Sequence, residues 1–187
     1  MFNSDDIVVS GMSGRFPLSD TTDEFARNLY DGVDMITDDG CRWPPGLYGI
    51  SNRMGAIVSY NKFDTQFFGL PDTTAQLYDP QSRLLFETSY EAILDAGINP
   101  QTLRGQMIGV YVGAFQYAES DGYGEYNHPD QPAHMNMMVQ RRMANMKSGL
   151  ANKLSYAFDF KGPSATVDTA CSSSLSALTL AINDIKL

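Results

Sequence analysis

The sequence predicts an α/β layered fold, and three observations carry that expectation. Short apolar runs rich in β-branched residues recur at 6–12, 107–115 and 162–170. Helical spacing of apolar residues appears over 80–96 and again from Ser172 onward. Gly, Pro and Asp cluster at the boundaries between these runs.

The elements follow in order. Ile7-Val8-Val9 opens a buried strand that ends in the small residues of "GMSGRFP", where Gly11, Gly14 and Pro17 turn the chain. Thr22-Asp23-Glu24 fits the start of a short helix, stopped by Gly32, with Phe25, Leu29 and Tyr30 on one face. Residues 33–62 read as loop, dense in Gly, Pro and Asp, and "FDTQFFGLP" as a short turn-bounded element. Pro80 suits the first turn of a long helix capped by Asp79, with Leu84, Leu85, Thr88, Ala92 and Ile93 in helical register. Gly97 and Pro100 end it.

"MIGVYVGAF", 107–115, is the second strand. Residues 116–134 form an irregular polar excursion, and the Met-rich segment 135–157 is helical with a break near Gly149. "GPSATVDTA", 162–170, is the third strand. Leu175, Ala177, Leu178, Leu180, Ala181, Ile182 and Ile185 then make a last helix. Its apolar residues do not keep to one stripe, so it should be buried on most sides, with more chain or a partner on its outer face.

The 187 residues suffice for one ordinary domain. Apolar content of 43% sits slightly below globular usage and gives no sign of disorder. A net charge of −9 argues against nucleic acid and anionic membrane as partners. Local basic spots remain at Arg141, Arg142 and Lys147. The N-terminus lacks a basic region, so no secretory signal is expected, and no apolar run reaches membrane-spanning length. Two cysteines, Cys41 and Cys171, make no disulfide framework, which fits a reducing, cytoplasmic setting.

Cys171 stands where the third strand gives way to the last helix, in "TVDTACSSSLSAL". Free N–H groups at a helix N-terminus stabilise a thiolate and can hold the oxyanion formed when it attacks a carbonyl. Thr169, Ala170, Ser172 and Ser173 are small enough to admit a substrate, and their hydroxyls can cap free donors. On position alone two readings stand, a nucleophile or a buried small hydrophobe. "GMSG" lacks the spacing of a phosphate loop. The methionines of 135–146 suit either an acyl tunnel or ordinary packing.

"DTACSSSLSAL" resembles the active-site signature of β-ketoacyl synthases, the condensing domains of fatty acid and polyketide synthases. "GMSGRFP", "DPQSRLLFETSYEAILDAGINP", "IGVYVG" and "ANKLSYAFDFKGPSATVDTACSSS" match further segments of that family in the same order, from about Ile7 to the last residue. "GVDMITDD", "RWPPGLYG" and "INPQTLRG" are most similar to the first domain of animal-type fatty acid synthases. The resemblance implies a thiolase-like fold of stacked α/β layers, here its N-terminal half, with the nucleophile helix buried between two sheets. It implies that Cys171 holds an acyl thioester delivered by an acyl carrier protein, with its backbone N–H in the oxyanion hole. Malonyl-carrier protein would then decarboxylate and condense with it. No metal or bound cofactor is implied, since the phosphopantetheine arm belongs to the carrier. A homodimer is implied for the full-length protein.

The family also uses two histidines and a lysine downstream of the nucleophile. The chain stops at Leu187, inside an apolar helix, so 1–187 is expected to be a ketosynthase domain cut at its C-terminus. The fragment alone should be inactive, and an interaction or dimerisation module is the alternative. A cysteine hydrolase would need a base that the sequence does not place. His128 and His134 precede the cysteine and suit a surface or dimer contact; Cys41 lies in a loop and reads as incidental. Asn152-Lys153 stands where the family often has Asn-Arg, keeping the charge but losing a bidentate contact.

Overall fold

The computed structural model describes residues 6–38, 43–115, 139–141 and 143–186. The chain divides into two units. One comprises Met1–Ile7, Asp64–Ser82 and Asn99–Leu187; the other comprises Val8–Phe63 and Arg83–Ile98.

The first unit is built on two strands, β1 (Val110–Gly113) and β2 (Ser164–Val167). They pair in parallel, Val110 opposite Ser164 and Gly113 opposite Val167. Parallel neighbours need a long crossover, and it contains helix α4 (Leu150–Phe158). Helix α5 (Ser173–Ile185) follows β2. Side chains alternate across a strand, and this alternation separates the two helices. Ser164 and Thr166 face α4: the Ser155 hydroxyl donates to Ser164 Oγ at 3.1 Å and the Ala151 N–H to Thr166 Oγ1 at 3.2 Å. Tyr111 and Gly113 face α5, where the Tyr111 hydroxyl donates to Asp184. The result is a helix–sheet–helix sandwich, the α/β layering expected.

Its core is the stripe Leu150, Leu154 and Phe158 on α4, with Ala151, Ala75 and Ala177. Phe158 stacks on Phe160 at 5.5 Å and meets Phe68 edge-on at 6.5 Å. Full burial of such side chains contributes roughly 1.5–3 kcal/mol each. Helix α2 (Asp72–Leu77) supplies Ala75 and was not legible as a separate helix.

In the second unit, helix α1 (Thr22–Tyr30) opens on the N-cap Thr21, with Glu24 reaching back one residue further. The Glu24 N–H donates to Thr21 Oγ1 at 3.2 Å, and the Asp20 N–H donates to Glu24 Oε2 at 2.9 Å. Phe25 stacks on Phe16 at 4.1 Å, whereas Leu29 and Tyr30 are exposed rather than facing a core. Helix α3 (Pro80–Asp95) forms as predicted, and its Phe86 is buried beside Phe63.

The strand expected over 6–12 does not form. The segment is bound to α3 by its end instead. The Met12 N–H donates to Asp95 Oδ2 at 2.8 Å, and Gly11 lies so close to α3 that a Cβ there would sit 2.2 Å from the Ala92 carbonyl oxygen. Val8 and Val9 find no ladder partner among the described residues and stay exposed.

Candidate active site

The turn after β2 carries the predicted nucleophile. The ladder continues one step beyond β1, the Ala114 N–H donating to Val167 O at 3.0 Å. Asp168 then accepts the Ala170 N–H at 3.0 Å. Ala170 itself takes φ +55°, a left-handed conformation that costs a non-glycine residue energy. Ala170–Ser172 forms one 3₁₀ turn, and α5 begins at Ser173. Cys171 sits on that 3₁₀ turn, exposed, as the bend throws it outward. Its backbone N–H has no hydrogen-bond acceptor among the described residues. An exposed thiol beside a free N–H can attack a carbonyl and hold the resulting oxyanion. The buried-hydrophobe reading does not fit this exposure.

The serines do something other than the expected capping of α5. Ser172 is its N-cap yet makes no side-chain cap bond. The Ser172 hydroxyl turns back to Thr169 O at 2.8 Å and Thr169 Oγ1 at 2.9 Å. The Ser173 hydroxyl donates to Ala170 O at 2.6 Å. Thr169 Oγ1 and Ser176 Oγ lie 3.0 Å apart. The hydroxyl row braces the bend that presents Cys171.

Burial of α5 is one-sided. Ser173 and Ala177 are buried against the sheet, while Leu175, Leu178, Leu180 and Ile185 are exposed, Leu175 by 68%. The described residues thus cover one face of α5 only.

The basic positions divide. Lys147 is not a free anion site, because its ammonium pairs with Asp79 at 3.3 Å and donates to Gln81. Asp79 caps α3 by accepting the Ser82 N–H at 2.7 Å, as predicted. Burial pushes the Asp79 carboxyl up, but the Ser82 hydrogen bonds and Lys147 outweigh it and hold it below its ordinary value. Lys153 donates to Ser82 Oγ at 3.2 Å and to the Ala144 carbonyl, with its ammonium 4.7 Å from the Tyr78 ring centre. Burial lowers its pKa. The contacts are separate, not bidentate, in keeping with a lysine at this position.

The "GMSG" loop is occupied by carboxylates of α3 rather than poised for an anion. Ser13 donates to Glu91 at 2.5 Å, and Arg15 binds both Glu91 oxygens, at 2.7 and 2.5 Å. Cys41, His128 and His134 lie outside the described residues, as does the side chain of Arg142. Among the described residues no group of His, Cys, Asp and Glu is placed to hold a metal, and no helix is long and apolar enough to cross a membrane. The left-handed Ala170 had no sequence signal, since glycine is the residue that usually marks such a bend.

The family model "Beta-ketoacyl synthase, N-terminal domain" matches residues 4–187. The chain belongs to the β-ketoacyl synthase family. A fatty acid synthase of the goose Anser anser anser is 46% identical over 183 residues, which are 97% of this chain and 50% of that protein. A probable polyketide synthase of Dictyostelium discoideum, number 23, is 37% identical over 98% of this chain and 7% of its own length. The chain thus spans half or less of these curated relatives. Among solved structures, a ketosynthase from module 6 of the bacillaene synthase of Bacillus subtilis 168 superposes with a TM-score of 0.71 at 32% identity, over 92% of this chain and 27% of that one. Such ketosynthases carry the thiolase-like fold, of which the sandwich of β1, β2, α4 and α5 is a portion.

Proposed function

We propose that the chain is the nucleophile-bearing part of a 3-oxoacyl synthase, with Cys171 as the residue that holds the growing acyl group. The Cys171 sulfur attacks the thioester carbonyl of an acyl carrier protein, the Cys171 N–H steadies the oxyanion, and the carrier thiol leaves with the proton. A malonyl group on the carrier's phosphopantetheine then loses carbon dioxide. Its carbanion attacks the Cys171 thioester, giving a 3-oxoacyl chain two carbons longer and freeing the thiol. The observation that carries this reading is an exposed thiol with a free N–H on the bend between a parallel strand and a helix.

The chain spans half or less of its relatives, and the isolated 187 residues are expected to accept acyl groups at most. The higher identity to a fatty acid synthase than to polyketide synthases supports a fatty acid product, with a polyketide product as the alternative. A homodimer, a cytoplasmic location and a domain boundary beyond residue 187 belong to the same reading.

Intact-mass measurement after exposure to an acyl-carrier donor tests it. One acyl adduct is expected, absent in Cys171→Ala. An adduct that survives that substitution would overturn the assignment.

A further inference from the structure

We propose that Ser173 is the positioning residue of the nucleophile bend, its buried hydroxyl locking Ala170 in the left-handed conformation that presents Cys171. The inference rests on Cys171 being the acyl acceptor.

One hydroxyl spans the two residues before the cysteine. The Thr169 N–H donates to Ser173 Oγ at 2.9 Å, and the same oxygen donates its proton to Ala170 O at 2.6 Å. The two backbone groups flank the torsions that set φ +55° at Ala170. A strained residue persists only where its surroundings hold it. Asp168 and Ser172 also bond to backbone groups of the bend, and both are exposed, so water competes for their bonds; Ser176 meets only the Thr169 side chain. Ser173 is 4% exposed. Its own backbone is fixed from below, because a Cβ on Gly113 would lie 2.7 Å from the Ser173 carbonyl carbon. The sheet therefore sets Ser173, and Ser173 sets the bend.

Removing the hydroxyl leaves the Ala170 carbonyl with the Ser173 N–H but strips Thr169 N–H of its acceptor. Helix α5 keeps its start while the bend loosens. This separates positioning from mere folding.

The test uses the full-length protein that contains this chain, with acetyl-CoA as acyl donor and single-turnover acylation read by intact mass. Ser173→Ala should lower the maximal acylation rate about tenfold to a hundredfold, with the half-saturating donor concentration within about twofold, as expected of a misplaced reacting group. Adding Ala170→Gly should recover much of that loss, because glycine reaches positive φ without strain. A rate in Ser173→Ala within about twofold of native, or a loss that Ala170→Gly leaves untouched, would overturn the proposal. If Ser173→Ala does not fold, amide exchange in the native protein decides: protection at Thr169 supports the clamp, and exchange at the rate of open chain refutes it. Failure of the nucleophile assignment would show separately, as acyl uptake by Cys171→Ala.

Discussion

The backbone of Ser174 occupies the space that a side chain on Gly113 would need: a Cβ there would stand 2.6 Å from both Ser174 N and Ser174 Cα. Strand β1 thus touches the first turn of α5 through a missing side chain.

Gly113→Ala should force that turn outward and carry Cys171 with it. Overpacking of this kind costs about 1–3 kcal/mol. Denaturant unfolding should show the loss, and acyl labelling of Cys171 should fall more steeply than stability does. Labelling at the native rate would mean that α5 is seated by something other than this contact.

Asp79 should make α3 sensitive to acid. Its carboxyl is held below the ordinary 3.8 by Ser82 and Lys147 against the upward push of burial. A folded value below the unfolded one gives stability that is complete above about pH 4 and is lost as pH falls through the folded value. Asp79→Ala should cost about 0.5–2 kcal/mol at neutral pH, the range for a lost N-cap. Urea midpoints of the native and substituted proteins should converge as pH drops below 4.

Lys153 predicts a trend of the same sign at the basic end. Burial lowers its pKa from the ordinary 10.5. The unfolded chain then holds the proton longer than the folded one, so stability rises with pH between the two values. Unfolding of the native protein against Lys153→Met, followed toward pH 10.5, should show this gain in the native protein alone. At neutral pH, Lys153→Ala leaves the Ala144 carbonyl without its lysine partner and should cost roughly 1–3 kcal/mol.

Glu91 is the carboxylate on which Ser13 and Arg15 converge, and the Arg15 hydrogen bond is the main reason its pKa is lowered. Glu91→Gln should weaken the anchoring of residues 11–15 at neutral pH, seen as faster amide exchange at Met12 and Ser13. That difference should vanish in acid, as protonation removes the same charge. Equal exchange at neutral pH would show that Gly11 packing and the Met12–Asp95 hydrogen bond seat the loop without Glu91.

The elements that the sequence made legible are those with local signals. Asp79 followed by Pro80 marked a cap and a first turn, and α3 begins there. Gly149 marked the break before α4. The cysteine's place at a strand-to-helix bend could be inferred from β-branched residues giving way to small polar ones. The misses have non-local causes. Ile7, Val8 and Val9 look like a strand, but a strand exists only with a partner, and the described residues offer them none. Ser172 and Ser173 carry the composition of a cap; the direction of their hydroxyls depended on the bend at Ala170, which an alanine does not announce. Lys147 read only as a local basic spot, and its partner, Asp79, lies far away in sequence.

The β1–β2 ladder joins positions about fifty residues apart. Closing so long a segment must precede the first contact that rewards it, which slows folding. The bend that displays Cys171 hangs from the far end of that ladder, so it is among the last parts to be assembled. A newly made or refolding chain would recover helical signal before it could accept an acyl group, and acyl uptake would time the completion of the fold.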